Sequence, residues 1–385
     1  MTQSYDELLR KHGVSSLGLN PFPWYEQMRL TEPVSIDEQE HLCEVFRYTD
    51  AQAVLANPLL FSSKQLLVGE EHTGMVVTDP PRHGKLRGLL SHAFMPRTIA
   101  PLEEHIRGIV NELLDAAMAS DTMDVMEDFA PHLPVRVICE MLAVPSEQHA
   151  DVKRWSAVLM GNSAEQSIMG YRSLQEFLYA LVAQRRKAPG DDLVSGLLAT
   201  ELDGEPLSDP MIVDTCFGLL VAGNETTALL IGNTILCLDE HPESREQVWA
   251  DPFLLPSTIE EVMRFRTIAQ RTIRLATKDL EIGGKQLKTG YRVLVWIGSA
   301  NRDEEQFADP EVFDIRRTPN RHLGFSHGIH YCLGAPLARL EARIALEGII
   351  ERFKDIQRVR EVPLQPYPSC NFYGVQHLPV RLQKR

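Results

Sequence analysis

Cys332 sits in the run Phe325-Ser326-His327-Gly328-Ile329-His330-Tyr331-Cys332-Leu333-Gly334, a glycine-punctuated loop leading into a helix that opens at Ala335-Pro336-Leu337. A thiolate in that setting suits metal ligation. The first free amides of a helix carry partial positive charge, so they stabilise a negative sulfur beside them and lower its pKa. Gly328 and Gly334 allow backbone conformations and close approaches that a side chain would block, as a flat macrocycle lying against the loop requires. Taken alone, a single cysteine in an intracellular protein is a small buried hydrophobe.

A second run, Ala222-Gly223-Asn224-Glu225-Thr226-Thr227, lies in the most apolar helical stretch of the chain. Ala222 is one turn before Thr226 and Gly223 one turn before Thr227, so small residues stack beneath hydroxyls and leave room for a ligand against the helix. Threonine also bonds the carbonyl four residues back and bends the helix, which opens a pocket. The alternative is a capped or water-bridged polar defect in a core helix. Glu261 and Arg264 stand at i and i+3 on an amphipathic helix, a spacing that by itself describes an exposed ion pair worth tenths of a kcal/mol. His83 and Arg87, four apart on another helix, are able to face one carboxylate together.

The elements that must position these residues follow from periodicity and punctuation. Helices are predicted at 49–56, 83–93, 99–119, 147–160, 166–186, 191–202, 210–239, 242–250, 257–267 and 335–353. Strand patterns fall at 34–36, 43–46, 270–275, 280–282, 292–296 and 380–382, and residues 20–25 read as a turn-rich opening. Residues 61–77 have no helical period and read as a loop over the active site. The expectation is a mainly α protein with a minor β-sheet, built as one large domain over residues 1–385 around one cofactor.

Composition excludes several classes. A net charge of −14 leaves no general positive face for nucleic acid. The apolar stretch 217–238 would place Asn224, Glu225 and Asn233 in mid-bilayer, so a buried central helix is expected and no membrane association. The six cysteines are scattered, with no Cys-x-x-Cys pair, which argues against a zinc site or a disulfide framework. The polar amino terminus carries no apolar signal segment, and a cytoplasmic location is expected. Between Arg316 and Arg343 the chain is locally basic, with arginines at 316, 317, 321, 339 and 343 against one acid, Glu341. That segment is either a docking face for an acidic electron donor or a surface neutralised by acids from elsewhere in the fold.

Together, and in this order along the chain, these motifs resemble the cytochrome P-450 family of the soluble bacterial type, from Asn20-Pro21-Phe22-Pro23-Trp24 to Leu378-Pro379-Val380-Arg381. The resemblance implies the P-450 fold enclosing haem b, with Cys332 as the axial ligand to its iron and Phe325, Gly328, His330 and Gly334 shaping the ligand loop. It puts Ala222 and Gly223 beside the haem, and His83, Arg87, Arg274 and His330 on the propionates. Glu225 and Thr226 would guide protons to iron-bound dioxygen, and family members that act as peroxygenases or dehydratases often lack this pair. Glu261 and Arg264 would belong to a buried structural network behind the loop. Its third member is open, because Val312 stands where many relatives carry an arginine.

Leu67, Val76, Leu219, Ile268 and Phe372 match the family's substrate-contact regions and imply a hydrophobic small molecule, although the same residues could be core. The activity implied is insertion of one atom of dioxygen, by hydroxylation or epoxidation. The length leaves no segment for a fused reductase, so electrons are expected from a ferredoxin- or flavodoxin-type donor with its reductase. The alternatives are a peroxide-driven or non-oxygenating haem-thiolate enzyme and, from another class, a haem-based gas sensor or carrier.

Overall fold

The structure, a computed structural model, describes residues 18–64, 74–160, 163–369 and 371–385. Its axis is the helix Asp209–Glu240, 32 residues long, which starts after Ser208 with Asp209 and Pro210 in its first turn and stops at His241 before Pro242. An acid and a proline suit a helix start, where the amides have no helical partner. From Ala228 to Asp239 every residue of it is buried. A helix that is apolar all round must be covered on all sides, and here His132–Met141, His149–Met160, Ala164–Lys187, Leu255–Phe265 and Ala335–Arg352 pack around it. Its polar residues are met inside the protein: Asn224 Nδ2 donates to Ser156 Oγ at 3.1 Å, and Asn233 Nδ2 to the carbonyls of Arg266 at 3.3 Å and Tyr373 at 3.2 Å.

The sheet component lies to one side of this helical mass. One sheet runs in the order Val34–Asp37, Leu42–Val45, Arg292–Val295, Thr272–Ala276, Phe61–Ser62, with only the Leu42–Val45 and Arg292–Val295 pair parallel. Another joins Phe353–Arg358, Pro379–Lys384 and Thr122–Asp124, all antiparallel. The mainly α architecture with minor sheets stands as expected.

Local expectations fail where proline is ambiguous. Residues 20–25, read as a turn, instead open the helix Phe22–Thr31, with Pro23 in the first turn where its missing N–H costs nothing. The predicted helix 99–119 is two helices, Pro96–Ile99 and Leu102–Ala117, divided at Ala100 and Pro101. His132–Met141 was not expected at all, since Pro131 and Pro134 mask a start that tolerates both, and a π-helical turn Val125–Phe129 precedes it. The predicted helix 191–202 shrinks to Leu193–Leu198, followed by the short antiparallel pair Glu201–Leu202 and Glu205–Pro206. Within the expected loop 61–77, Phe61–Ser62 is a strand and Met75–Val77 a 3-10 turn against the central helix, and residues 65–73 lie outside the described residues.

Candidate functional site

The cysteine loop is fixed by its own backbone. The Cys332 amide donates to the Phe325 carbonyl at 2.8 Å, closing the loop, and the Tyr331 amide donates to Gly328 at 3.1 Å. Gly328 has φ +68°, and a Cβ there would come within 2.7 Å of the Leu55 carbonyl oxygen, so both conformation and packing demand glycine. Gly334 differs: at φ −80° its conformation is ordinary, and a Cβ would meet no described protein atom within 4 Å. Its smallness leaves space beside the sulfur rather than fitting a neighbour. Phe325 is buried behind the loop, with the Arg339 guanidinium 4.3 Å from its ring centroid.

Among the described cysteines Cys332 alone is exposed; Cys43, Cys139, Cys216 and Cys237 are buried, and burial raises their thiol pKa values. Desolvation raises Cys332 too, but the amides of Gly334 and Ala335 and the charges of Arg87 and Arg339 oppose it. Those opposing groups are what a metal-bound thiolate needs.

Two arginines, Arg87 and Arg274, and two histidines, His83 and His330, from three separate stretches converge nearby. His83 lies on the helix Arg82–Ser91, Arg274 on the strand Thr272–Ala276 and His330 on the cysteine loop, and the His83 and His330 ring centroids are 4.4 Å apart. Burial first, then Arg274, His83 and Arg87, hold the His330 pKa down at about 4. Burial lowers His83 as well, with Arg87 adding to it. Arg274, 7% exposed, is pushed down to about 10 by burial, with Asp79 opposing. Its only bonds among the described residues are from Nη1 to Thr272 Oγ1 at 3.2 Å and to the Ile273 carbonyl at 2.7 Å. Buried His83 Nε2 has no hydrogen-bond partner there. Asp79 accepts from the Ser62 hydroxyl and, at 2.8 Å, from the Ser63 amide. The cluster is short of anions, and the two propionates of haem match that deficit.

On the central helix Ala222 is exposed and Thr226 half-buried on the same face, and the Thr226 hydroxyl donates to the Ala222 carbonyl at 2.7 Å. Gly223 faces another way, since a Cβ would touch Ile138 at 3.7 Å. Glu225, 8% exposed, turns inward, where Oε2 accepts from the Tyr367 hydroxyl at 3.0 Å. Burial raises its pKa, and Tyr367 and Lys153 pull it back. Sequence reasoning missed Tyr367, which lies 142 residues away in irregular chain and carries no local signal.

Of the candidate substrate residues, the structure brings Ile268 and Phe372 together: the Tyr373 amide donates to the Ile268 carbonyl at 2.8 Å, and Ala269 bridges Phe372. Ile268 is 4% exposed. Val76 is 67% exposed, in the turn that packs on the helix carrying half-buried Leu219. Leu67 lies outside the described residues.

Glu261 and Arg264 are fully buried and doubly bonded, Nε to Oε2 at 2.9 Å and Nη2 to Oε1 at 2.8 Å, so the surface-pair reading of their spacing does not hold. Arg264 also donates to the carbonyls of Asn301, Pro310 and Val312. The open third place is taken by Arg317, whose Nε lies 3.2 Å from Glu261 Oε1, while the Val312 side chain is 55% exposed. Of the other arginines of the basic segment, two find acids and Arg316 donates to Gln247. Arg339 pairs with Glu260, and Arg343 with Glu103 and Glu347. Burial works to raise Glu260, but Arg339 and His322 outweigh it and bring the carboxyl to about 2.

Comparison with known proteins supplies the lineage. The family model described as Cytochrome P450 matches residues 253–370. "Cytochrome P450 109" of Bacillus spizizenii is 40% identical over 376 residues, covering 94% of this chain and 92% of that protein. "Mycinamicin IV hydroxylase/epoxidase" of Micromonospora griseorubida is 38% identical, with 96% of each chain covered. The solved structure of CYP109E1 from Bacillus megaterium in complex with testosterone superposes with a TM-score of 0.91 at 39% identity, covering 94% of this chain and 98% of that one. Near-complete overlap at such identity, on a site whose exposed cysteine and anion-poor cation cluster fit a haem, makes the chain a member of the cytochrome P450 family and a monooxygenase that uses haem b and dioxygen.

Proposed function

We propose that this P450 inserts one oxygen atom of dioxygen into a C–H or C=C bond of a hydrophobic small molecule and releases the other as water, consuming two electrons and two protons. When bound, the haem supplies dioxygen binding and reductive O–O cleavage, with electron density from the Cys332 sulfur. The observation that carries the reading is the central helix, where the Thr226 hydroxyl stands on the open face beside Ala222 and the Glu225 carboxyl lies buried next to it. A proton-delivering pair in an apolar site serves O–O cleavage; family members that act as peroxygenases often lack this pair, and a sensor or a carrier, which cleaves no O–O bond, has no use for one.

Each chain residue then has a task. Cys332 holds the iron, and the Gly334 and Ala335 amides offset part of the cost that burial puts on a negative sulfur. His83, Arg87, Arg274 and His330 bind the propionates. Ala222 keeps the helix clear of the oxygen site, Thr226 orients a hydrogen bond there, and Glu225 passes protons toward Thr226. Phe325, Gly328 and Gly334 shape the ligand loop, and Gly223 faces Ile138 with room for ordinary contact. Glu261, Arg264 and Arg317 brace the chain behind it. The whole chain, 1–385, acts as one catalytic domain.

Val76, Leu219, Ile268 and Phe372 contact the substrate. Relatives named for macrolides, and a neighbour solved with testosterone, make polycyclic and macrocyclic compounds the first panel to try. A ferredoxin- or flavodoxin-type donor with its reductase supplies the electrons. The groove between the cysteine-loop helix and Pro96–Ile99, with a cavity of about 290 Å³ lined by Ile99, Ile259, Pro336 and Arg339, is a suitable dock. Its arginines are already paired, so docking there is less steeply salt-dependent than a bare basic patch would make it. The enzyme acts in the cytoplasm, in keeping with four buried, unbridged cysteines.

The test is turnover of the panel under labelled dioxygen with a surrogate ferredoxin and reductase. Label in the product and none from solvent is expected. Product formed only with added peroxide, and equally well in Thr226→Ala, would replace this reading with the peroxide-driven one.

A further inference from the structure

Glu225 and Thr226 are neighbours in sequence, and adjacent residues on a helix point about 100° apart. The alcohol therefore stands on the open face while the acid turns inward, and something must fix where the carboxyl points. The only side-chain hydrogen bond given to that carboxyl among the described residues is the one from the Tyr367 hydroxyl at 3.0 Å.

Tyr367 is itself held tightly. Its amide donates to the Gly374 carbonyl at 2.8 Å, and Pro366 bridges Val375. Gly374 presses on the central helix one and two turns beyond Glu225, where a Cβ would come within 2.6 Å of Leu229 Cδ2 and 3.4 Å of Asn233 Oδ1. The ring of Tyr367 packs on the main hydrophobic core. These contacts aim one phenol at one carboxylate oxygen.

We propose that Tyr367 is the positioning residue for proton delivery, its hydroxyl holding Oε2 of Glu225 so that Oε1 stays directed toward the Thr226 side; this rests on the proposed role of Glu225. In the step it serves, the O–H bond of protonated Glu225 breaks and the proton passes toward the Thr226 hydroxyl. The electron pair stays on the carboxylate, which keeps the Tyr367 hydrogen bond, and a solvent proton re-forms the acid. No redox change occurs at either residue. A hydrogen bond to the ionised form also opposes the rise in pKa that burial imposes on Glu225, keeping the group able to cycle.

The test uses the holoenzyme and Tyr367→Phe, which keeps the ring, with Tyr367→His as a second variant that retains a donor and Glu225→Gln as the reference. An unchanged reduced carbon monoxide spectrum certifies each fold. The protonated-carboxyl infrared band that Glu225→Gln abolishes is titrated, and the hydrogen peroxide released per dioxygen consumed is measured with testosterone present and a surrogate donor.

In Tyr367→Phe the band should persist to a pH higher by roughly half to one unit, the effect of one lost bond to the charged form. Peroxide release should rise about five-fold, the factor that one ordinary hydrogen bond carries, with Tyr367→His nearer wild type on both. A purely structural bond would shift the titration but leave peroxide release unchanged, a result that also overturns the positioning role. Unchanged titration and peroxide release in Tyr367→Phe, with both altered in Glu225→Gln, overturns the positioning role alone. Unchanged peroxide release in Glu225→Gln overturns the role of Glu225 beneath it.

Discussion

The Glu261 carboxylate accepts from Arg264, Arg317, Asn320 and the Asp314 amide, all between 2.8 and 3.2 Å, whereas Arg274 has one hydroxyl, one carbonyl and no acid in contact among the described residues. Both regions bury charge, since Arg264 is 0% and Arg274 7% exposed. Burying a charge is costly unless it is paired, so the first region is complete in the folded chain and the second is not. The difference separates charges that hold the protein together from charges that wait for a ligand. It also explains why the short spacing of Glu261 and Arg264 looked unremarkable in sequence: pairing at i and i+3 is the same inside or outside, and only the carbonyls of Asn301, Pro310 and Val312 reveal the burial.

The largest expected effect comes from breaking the complete region. Arg264→Leu leaves buried Glu261 with Arg317 as its one cationic partner among the described residues and frees the carbonyls of Asn301, Pro310 and Val312; a buried pair cut on one side costs about 3–5 kcal/mol, so urea unfolding should find little folded protein with or without haem. A stable Arg264→Leu variant would show that the network is dispensable. In the incomplete region the loss should fall on the ligand instead. Arg274→Leu is expected to weaken haem retention by roughly 30-fold or more, read by transfer to apomyoglobin, because truncating a buried charged pair costs about 2–5 kcal/mol. The haem-free protein should unfold at the same urea concentration or higher. Equal destabilisation of both forms would erase the distinction.

Glu341 tests the same logic at a carboxyl with no ion-pair partner among the described residues. Its side chain is enclosed on the helix Ala335–Arg352, Oε2 has no hydrogen-bond partner among the described residues, and burial alone pushes its pKa up to about 8. The folded state therefore keeps the proton that the unfolded chain loses near pH 4.3. Stability should fall as pH rises from there to about 8 and level off above it. Glu341→Gln should flatten this slope and, at pH 8, be the more stable protein by on the order of a few kcal/mol, as denaturant midpoints across pH would record. Parallel pH profiles for the two proteins would mean the carboxyl is ionised and solvated. The smallest effect belongs to Arg317→Ala, which leaves the Arg264 pair intact and should cost about 1–2 kcal/mol in urea unfolding.

What the sequence revealed divides along the same line. The cysteine loop was legible because its determinants are contiguous, and the central helix because its apolar run is long enough to demand burial. His83, Arg87, Arg274 and His330 come from three stretches, and only a resemblance of the whole chain could gather them. Arg317 was missed because the place was sought at Val312, five positions earlier, while the guanidinium reaches back to the same carboxylate from a later turn. Tyr367 was missed because one hydroxyl in irregular chain has no period. Pro23, Pro131 and Pro134 were misread for a simple reason: proline stops a helix in its middle and starts one at its edge, and composition does not say which.

The measurement closest to the central claim is the absorption spectrum of the reduced, carbon monoxide-treated protein alongside Cys332→His. The account predicts the strongly red-shifted band of a thiolate-ligated haem in the native protein and its loss in the variant, at retained fold. A histidine-type band in correctly folded native protein, or no bound haem, would contradict it.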